Sequence, residues 1–418
     1  MKPLFYPLCD SDSQTQPQTQ SRPHHSHRSL RYQVKKILMA IVVGFGLCTS
    51  ISSHSALASS SNCTTSWPEW EQFKRSFITD DGRVIDHSGN IKPTVSEGQA
   101  YAMFFALAAN DKASFQSLLT WTENNLANGD LTARLPAWQW GQRPDNSWGV
   151  VDSNSATDAD LWIAYTLGVA ADVWKDKRYA ALSTLIAQRI LNEETAELPL
   201  LGLTLLPAPK GFALANNQWK LNPSYLPLQL LRWLEHHDRD PRWKKVIASS
   251  LKIINGASPK GYSADWILFN QEQGFSPDLQ GIEKGDGGYN AIRVYLWVGM
   301  LAEKEIERAS LLKMLQPMAN LTANQGYPPE FVNIVSGQAK GVGSSGFSAA
   351  LIPFLHASKN IKTLQQQQLR LAAQPIRTDR YYDQVLALFA QGWQDQRFRF
   401  QMNGTAEFAW QSVCKQKS

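Results

Sequence analysis

A helical spacing of apolar residues recurs some dozen times along this chain, and this recurrence constrains its fold more than any other feature. In each segment apolar residues return every three or four positions, and Gly, Pro and Asn separate neighbouring segments. Strand candidates are short, as at 83–86. So many helices in about 360 residues without a linker favour an all-α fold of paired helices closed into a ring over a parallel sheet. The predicted helices span 68–78, 96–109, 113–126, 158–173, 179–190, 223–236, 241–254, 289–301, 306–321, 347–356, 364–373 and 379–391.

The first 58 residues predict a secretory signal peptide with a long polar front end. Arg31 and Lys35 precede an apolar run at 37–47, and Ser-Ala-Leu-Ala at 55–58 is typical of a cleavage site. The apolar run is too short to span a bilayer, so a membrane anchor is the weaker interpretation and no stable membrane insertion is expected. We therefore expect a single domain at 59–418, either periplasmic or secreted.

Removal of this segment changes the meaning of the net charge. The whole chain carries +5, but residues 1–58 contain six Lys/Arg and two Asp/Glu, which leaves the remainder near +1. Because most of the positive net charge lies in residues 1–58, it gives no reason to expect a nucleic-acid partner. The histidines that remain, His87, His236, His237 and His356, lack metal-ligand spacing, so we expect neither a metal site nor a cofactor.

Two cysteines, Cys63 and Cys414, remain near the two ends of the predicted mature chain. In an oxidising compartment a disulfide between them is favoured over two free thiols. Closing so long a loop would contribute about 4 kcal/mol in the chain-entropy model.

One carboxylate, Glu97, stands at the start of an otherwise small, aromatic and aliphatic helix. Apolar neighbours such as Phe104 and Phe105 solvate its ionised form poorly, so the pKa of Glu97 should rise toward a value that suits a proton donor near neutral pH. Thr94 and Glu97 also fit a capping box, which would only start the helix. On these residues alone the cap is the simpler interpretation, and only the other motifs decide against it.

Three tryptophans and a second carboxylate follow along the chain. Trp138, Trp140 and Trp148 lie in a Gly/Pro-rich stretch, and their indole faces suit a sugar-binding groove; the alternative is that one or two of them pack beneath long loops.

Asp158 lies at the N-terminal end of a predicted helix, where the dipole and free amides favour its ionised form. Asp158 is thus either an N-cap or a carboxylate that orients a hydroxyl, stabilises positive charge or activates water.

The run Ala-Thr-Asp-Ala-Asp at 156–160 and the helix after it resemble the signature of glycoside hydrolase family 8, with Thr166 where Ser or Ala is usual. Ser-Glu-Gly-Gln at 96–99 is similar to the segment that holds the family's proton donor, which maps to Glu97. The likeness covers essentially the whole predicted mature chain. It implies an (α/α)6 barrel with an open cleft and a catalytic domain that hydrolyses β-1,4-glucan with inversion, most similar to the periplasmic cellulases that accompany bacterial cellulose synthase.

The resemblance also implies roles for residues on other helices. Asp158 matches a carboxylate that acts as nucleophile or grips the distorted sugar, and Tyr225 matches a tyrosine near the attacking water. Tyr289, Asn290 and Arg293 match the helix that carries the catalytic base.

Asn290 departs from the family pattern. The general base is usually an Asp at this position, and a neutral amide cannot take a proton from water in the transition state. Three explanations remain open. In the first, another carboxylate acts as the base, as in family branches that have Asn here; Asp286 is the nearest in sequence, followed by Glu283 and Asp158. In the second, the protein is a weak or inactive glucan binder. In the third, Asn290 is a sequence error or deamidates to Asp. We prefer the first.

Two hypotheses of different class follow from these motifs. The first is an endoglucanase that trims or edits cellulose during its export, with a β-1,4-glucan chain and the cellulose synthase export machinery as partners. The second is a glucan-binding accessory of the synthase with little or no turnover. Chitosan or xylan is a further possible substrate, but a cationic polymer should prefer an acidic cleft, and the near-neutral mature chain gives it no special support.

Overall fold

The computed structural model describes residues 66–87 and 92–415. The predicted signal peptide and Cys63 lie outside the described residues. The α-helices of the described part are α1 (Pro68–Phe77), α2 (Ser96–Ala108), α3 (Lys112–Leu126), α4 (Thr157–Trp174), α5 (Lys177–Glu193), α6 (Leu228–Asp238), α7 (Arg242–Gly256), α8 (Ala291–Gly299), α9 (Arg308–Met314), α10 (Gln316–Gln325), α11 (Ser345–Ala357), α12 (Ile361–Ala373), α13 (Tyr381–Gln394) and α14 (Ala409–Lys415). A short 3-10 helix, Pro223–Tyr225, precedes α6.

Six of these helices form a closed inner ring. In ring order they are α2, α4, α6, α8, α11 and α13; each contacts the next, and α13 contacts α2. The other helices cover this ring, with α3 against α2, α5 against α4, α7 against α6, α9 against α8, α12 against α11 and α1 against α13. This arrangement is an (α/α)6 barrel, and it confirms the predicted fold class.

Residue composition explains which helices lie inside. Nearly every side chain of α2 and of α4 is buried, because both helices are apolar around most of their circumference. Outer helices such as α5 and α7 bury one face and expose charged residues on the other. The position of each helix in the barrel therefore follows from how its apolar residues are distributed around the axis.

Aromatic rings fill the centre of the barrel. Phe104 of α2, Trp162 of α4 and Phe389 of α13 lie in mutual contact, with ring centroids 5.0–5.7 Å apart. Tyr165 donates a hydrogen bond to the carbonyl oxygen of Gly404, in a hairpin that lies against the inner helices. Such rings contribute packing energy beyond the area that they bury, so the barrel has a filled core rather than a channel.

Proline explains two differences from the predicted helices. The predicted helix at 223–236 is divided into the 3-10 helix and α6 at Pro227, which lacks the N–H that a continuous helix would use. The predicted helix at 306–321 is likewise two helices, and α10 has Pro317 in its first turn. The predicted strand at 83–86 is reduced to one isolated bridge between Val84 and Ile78.

Short antiparallel strands connect the helices. They are β1 (Thr94–Val95), β2 (Gln139–Gln142), β3 (Trp148–Asp152), β4 (Thr195–Leu198), β5 (Gly202–Leu205), β6 (Ala213–Leu214), β7 (Gln218–Leu221), β8 (Ile267–Asn270), β9 (Gly274–Pro277), β10 (Asp286–Gly287), β11 (Phe331–Asn333), β12 (Ala339–Lys340), β13 (Phe398–Phe400) and β14 (Ala406–Phe408). The sheets β1–β2–β3, β6–β7–β8–β9 and β10–β11–β12 adjoin the segments that lead into α2, α6 and α8. Among the described residues we find no helix whose length and apolar character would let it cross a membrane.

Candidate active site

The starts of several inner helices meet around the side chain of Arg293, in the first turn of α8. Arg293 Nη2 donates hydrogen bonds to Ser224 Oγ at 2.9 Å, Asn290 Oδ1 at 3.0 Å and Asp158 Oδ2 at 3.4 Å. Its Nη1 donates to the hydroxyl of Tyr382 at 3.3 Å. A guanidinium group presents several donors in a fixed plane, so this one side chain joins the starts of α4, α8 and α13 to the 3-10 helix.

Tyr225 and Tyr382 complete the surroundings of Arg293. The guanidinium carbon lies 5.8 Å from the centre of the Tyr225 ring. Tyr382 also donates a short hydrogen bond to the carbonyl oxygen of Tyr289. Sequence reasoning missed Ser224 and Tyr382, although Ser224 directly precedes the predicted Tyr225.

The capping box considered for Glu97 does not form. Val95 is the N-cap residue of α2, and the hydroxyl of Thr94 instead donates to the carbonyl oxygen of Val84 and accepts from Arg83 Nε. Glu97 is partly exposed, and its Oε1 accepts a hydrogen bond from Trp138 Nε1 at 3.3 Å. The carboxyl group of Glu97 is therefore free to face a ligand.

Burial raises the pKa of Glu97, as the sequence predicts. The charge of Arg293 and the indole N–H of Trp138 act in the opposite direction, because both stabilise the carboxylate. A partly exposed carboxyl group with a raised pKa is suited to donating a proton near neutral pH.

The two residues after Glu97 hold it in place. A Cβ atom on Gly98 would lie 2.7 Å from the hydroxyl oxygen of Tyr381, so α2 approaches α13 closely only with glycine here. The buried Gln99 side chain accepts from the Val84 N–H and donates to the Gly82 and Leu118 carbonyls. These bonds fix the start of α2 against the preceding loop.

Asp158 is buried at 1% exposure in the first turn of α4. Its Oδ1 accepts from the Ala159 N–H at 2.9 Å, and its Oδ2 contacts Arg293. Burial, followed by the charge of Glu97, raises the pKa of Asp158 well above its ordinary value, while Arg293 and the Ala159 N–H lower it. The Ala159 N–H thus favours the ionised form of Asp158, as expected at a helix N-terminus, while burial has the larger effect on its pKa and opposes ionisation.

Asp265 fixes the backbone around Asn290. One oxygen of Asp265 accepts hydrogen bonds from the N–H groups of Gly288 at 2.8 Å, Asn290 at 2.9 Å and Ala291 at 2.7 Å. Asp265 is 2% exposed, and burial raises its pKa to about 6. Sequence reasoning missed Asp265, since it lies 25 residues before Asn290 and in no recognisable motif.

The structure does not bring Asp286 into contact with the Arg293 cluster. Asp286 lies in β10, where its carboxylate accepts from Asn333 Nδ2 at 2.9 Å and from Lys340 Nζ at 3.1 Å. Tyr289 is directed away from the cluster as well, since its hydroxyl donates to Glu330 Oε1 at 2.8 Å. The preference for Asp286 over the other carboxylates thus rests on sequence proximity and not on contacts.

The three predicted tryptophans have different environments. Trp138 contacts Glu97, whereas Trp140 and Trp148 pack on each other with ring centroids 5.4 Å apart. The guanidinium carbon of Arg83 lies 4.5 Å from the Trp140 ring centre and 5.1 Å from that of Trp148. Trp148 remains about half exposed, at 49%. Only Trp138 is in contact with a predicted catalytic residue.

The described residues contain no group of three or more His, Cys, Asp or Glu side chains that could hold a metal ion. Cys414, near the end of α14, is disulfide-bonded. Its predicted partner, Cys63, lies outside the described residues, so the pairing stays a prediction.

The geometry supports acid–base chemistry on a ligand bound over the starts of the inner helices. A raised-pKa carboxyl group, a buried cation and several hydroxyl groups converge there without a metal site among the residues described. Hydrolysis of a glycosidic bond requires such a proton donor together with groups that orient sugar hydroxyls.

Comparisons with known proteins agree with this arrangement. Residues 45–396 match the family model of the glycosyl hydrolases family 8. The chain is 45% identical to an endoglucanase of Salmonella typhi, over 88% of this chain and 97% of that protein, and 43% identical to one of Escherichia coli K12, over 84% and 93%. The solved endo-1,4-D-glucanase of Vibrio fischeri ES114 is 42% identical with a TM-score of 0.76, and the match covers 82% of this chain and 99% of that one. This chain therefore belongs to family 8 of the glycosyl hydrolases, as its sequence motifs indicate.

Proposed function

We propose that this protein is an endo-β-1,4-glucanase that hydrolyses internal bonds of cellulose with inversion. The observation that carries the proposal is the partly exposed Glu97, which has a raised pKa and lies between Trp138 and the Arg293 cluster. The endoglucanase names of its relatives support the choice of substrate.

Glu97 is the general acid that protonates the bridging oxygen of the scissile bond. The indole of Trp138 supports the sugar ring next to this bond, and Asp158, Arg293 and Tyr225 orient the sugar hydroxyls and the attacking water. Inversion requires roughly 6.5–9.5 Å between the acid and the base, so that a water molecule fits between them, whereas retention requires about 5–5.5 Å.

The charges of Glu97 and Asp158 affect each other, and we assign the proton to Glu97 and the negative charge to Asp158. The charge of Glu97 raises the pKa of Asp158, but of the two carboxyl groups only Asp158 has direct contact with the Arg293 guanidinium. When Glu97 holds the proton, Asp158 loses the repulsion from it and remains ionised beside Arg293.

Asp158 is then the carboxylate that we assign to receive the proton of water. Asp286 is held by Lys340 and Asn333, and Asn290 is an amide that accepts from Arg293. Deamidation of Asn290 is disfavoured, because it needs the Ala291 nitrogen to attack the side chain, and this N–H is bound to Asp265 at the start of a helix. A buried base that must also grip the sugar should be slower than a dedicated Asp at position 290.

Asn290 also motivates a second candidate function, a glucan-binding protein with little turnover. A reducing-sugar assay on carboxymethylcellulose separates the two. For an enzyme, Glu97→Gln should lower the rate by about 100-fold or more, whereas Glu69→Gln, which changes an exposed glutamate, should not. Activity that appears only in Asn290→Asp, and not in wild type or in the exposed control Asn320→Asp, would establish the binder.

We further propose that the protein acts in the periplasm or outside the cell, on cellulose that is being synthesised and exported. The predicted signal peptide supports this location, and the sequence resemblance to the cellulases that accompany cellulose synthase supports the process. Fractionation of cells that express the full chain, followed by co-purification with the synthase export machinery, tests both statements.

A further inference from the structure

An exposed leucine stands at the tip of the hairpin β4–β5, beside the outer helix α7. Leu198 pairs with Gly202 across this hairpin, so its loop consists of residues 199–201. The side chain of Leu200 is 76% exposed, and an apolar side chain that stays in water contributes little to folding. Packing within the barrel therefore does not explain a leucine at this position.

The backbone at Leu200 is strained as well. Its φ of 66° lies in the left-handed region, which bulky side chains rarely adopt. The other non-glycine residues with positive φ in the described part of the chain are all Asn, Lys, Arg or Gln. An asparagine would fit this backbone and the surrounding water better than a leucine does. Strain of this kind occurs mainly at functional sites.

Helix α7 holds the hairpin tip in place. Lys252 Nζ donates to the carbonyl oxygen of Leu200 at 2.9 Å and to that of Leu201 at 3.4 Å. One turn earlier, Ser249 Oγ donates to the carbonyl oxygen of Leu203 at 2.7 Å. These bonds anchor the loop and β5 to α7, so the Leu200 side chain extends into solvent from a fixed backbone.

The outer face of α7 is basic. The helix contains Arg242, Lys244, Lys245 and Lys252 and no Asp or Glu, while its apolar residues are buried against the barrel. Arg242 is paired with Asp240 at 2.8 Å, whereas the three lysines are exposed. The predicted mature chain as a whole is near +1, so this face concentrates positive charge. Such a face attracts an anionic partner.

An exposed leucine beside several lysines favours a lipid surface over a protein as that partner. A basic amphipathic helix is typical of attachment to anionic membranes, where lysines contact the headgroups and apolar side chains enter the acyl boundary. Protein interfaces are depleted in lysine, and leucine is under-represented among their hot spots.

We propose that Leu200 and the basic face of α7 form a membrane-docking surface that binds reversibly to anionic phospholipids. Leu200 enters the boundary between the headgroups and the acyl chains, and Lys244, Lys245 and Lys252 contact the lipid phosphates. The attachment is peripheral, because one leucine and a few lysines do not hold a protein permanently. It does not depend on the proposed hydrolytic function.

Co-sedimentation with lipid vesicles tests this docking surface. Protein purified from cells that express the full chain is mixed with vesicles of phosphatidylcholine alone, or of phosphatidylcholine with about one-third phosphatidylglycerol. We expect binding to the anionic vesicles to be about 10-fold stronger or more, and added salt should weaken it.

Two variants separate the apolar contribution from the charge. Leu200→Asn should weaken binding to the anionic vesicles by about fivefold, because it removes the apolar side chain. The double variant Lys244→Gln/Lys245→Gln should weaken it by about 10-fold or more, because it removes two charges that face the phosphates.

Matched controls use exposed residues on other outer helices. Leu369→Gln changes a leucine of α12 that is 70% exposed, and Lys112→Gln/Lys362→Gln removes two exposed lysines of α3 and α12. Both controls should bind the anionic vesicles as wild type does.

Urea denaturation shows whether Leu200 serves the fold instead. Asn adopts the left-handed conformation readily, so the free energy of unfolding of Leu200→Asn should equal or exceed that of wild type. A clear loss of stability in this variant would overturn the proposal, because Leu200 would then have a structural role.

The vesicle experiments have two further outcomes that would contradict membrane docking. Equal binding to both kinds of vesicle would overturn it and leave a protein with a pocket for Leu200 as the occupant. A loss of binding in Lys244→Gln/Lys245→Gln without any loss in Leu200→Asn would also overturn it, since it would show attraction to any polyanion.

Discussion

Trp138 differs from the other tryptophans of its region because its indole N–H points at a carboxyl group. Trp140 and Trp148 pack against each other and under Arg83, which covers part of the surface that a sugar would need. At the scale of single residues, contact with Glu97 therefore distinguishes Trp138 from Trp140 and Trp148 in the same region.

Trp138→Phe should move the alkaline limb of the pH–rate profile to higher pH. The indole N–H stabilises the ionised form of Glu97, so its removal raises the pKa of Glu97 and the acid stays protonated to higher pH. Phenylalanine largely keeps the ring face that we propose supports the sugar, so the pH–rate profile should shift more than KM. Trp148→Phe is the matched control and should leave the limb in place; a limb that moves down in Trp138→Phe contradicts the assigned hydrogen bond.

Residue types and motifs could predict part of the site. The family resemblance selects Glu97, Asp158, Asn290 and Arg293, and the structure connects the last three directly through the Arg293 guanidinium. It could not select Tyr382, which contacts Arg293 across 89 positions of sequence and has no local signature. Contacts of that range depend on how the barrel closes, and no local pattern encodes them.

At the scale of elements, the start of α8 depends on one buried side chain. Asn290 is the N-cap residue of α8 but makes no side-chain cap, and Asp265 provides the acceptor instead, from a segment that precedes β8. This single carboxylate oxygen accepts from the N–H groups of Asn290 and Ala291, which helix geometry leaves without partners, and from that of Gly288 just before the helix. The orientation of Asn290 toward Arg293 follows from this anchoring.

Asp265→Ala should lower the free energy of unfolding by about 2 kcal/mol or more, because it leaves buried N–H groups without an acceptor. Asp265→Asn keeps one acceptor oxygen and should lose less than half as much. The loss of stability in Asp265→Ala should be accompanied by a fall in kcat, because the backbone at the start of α8 no longer holds Asn290 and Arg293 in position. Urea denaturation and carboxymethylcellulose turnover measure both effects, and Asp111→Ala, at the N-cap of the outer helix α3, controls for an ordinary cap. Equal losses for Asp265→Ala and Asp265→Asn would contradict this view of α8.

The helices were more predictable than the connections between them. Apolar spacing locates α2 and α4 almost to the residue, because each is a continuous run that the barrel buries. It does not show that 223–236 breaks at Pro227, or that Asp286 joins a strand held by Lys340, since both depend on neighbours that are distant in sequence.

At the scale of the whole molecule, the folded barrel buries several carboxyl groups, including those of two regions that bear on its pH dependence. One region is the proposed active site with Asp158, Asp160 and Glu194. The other is around Arg232, where Glu305 and Glu307 accept from the same guanidinium at 3.1 and 2.9 Å. Burial, followed by the neighbouring Glu307, raises the pKa of Glu305 to about 7.

These groups predict that the protein is most stable at mildly acidic pH. Carboxyl groups with raised pKa values in the folded state stabilise it fully below their unfolded values, near 4 to 4.5, and lose that contribution as the pH rises through about 6 to 7. Asp111 acts in the opposite sense: despite its burial, the Lys74 ammonium at 2.7 Å holds its pKa below the ordinary value, so its contribution is lost as the pH falls.

The free energy of unfolding should therefore pass through a maximum between about pH 4 and 6 and decline toward pH 8. Urea denaturation of the wild type across this range measures it, and a steady rise to pH 8 would be incompatible with the buried carboxyl groups described. Glu305→Gln should make the decline shallower, whereas Glu303→Gln, two residues earlier and exposed, should not. Because Glu305 contacts Arg232 instead of Arg293, this variant should leave the pH–rate profile unchanged while it alters the pH dependence of stability.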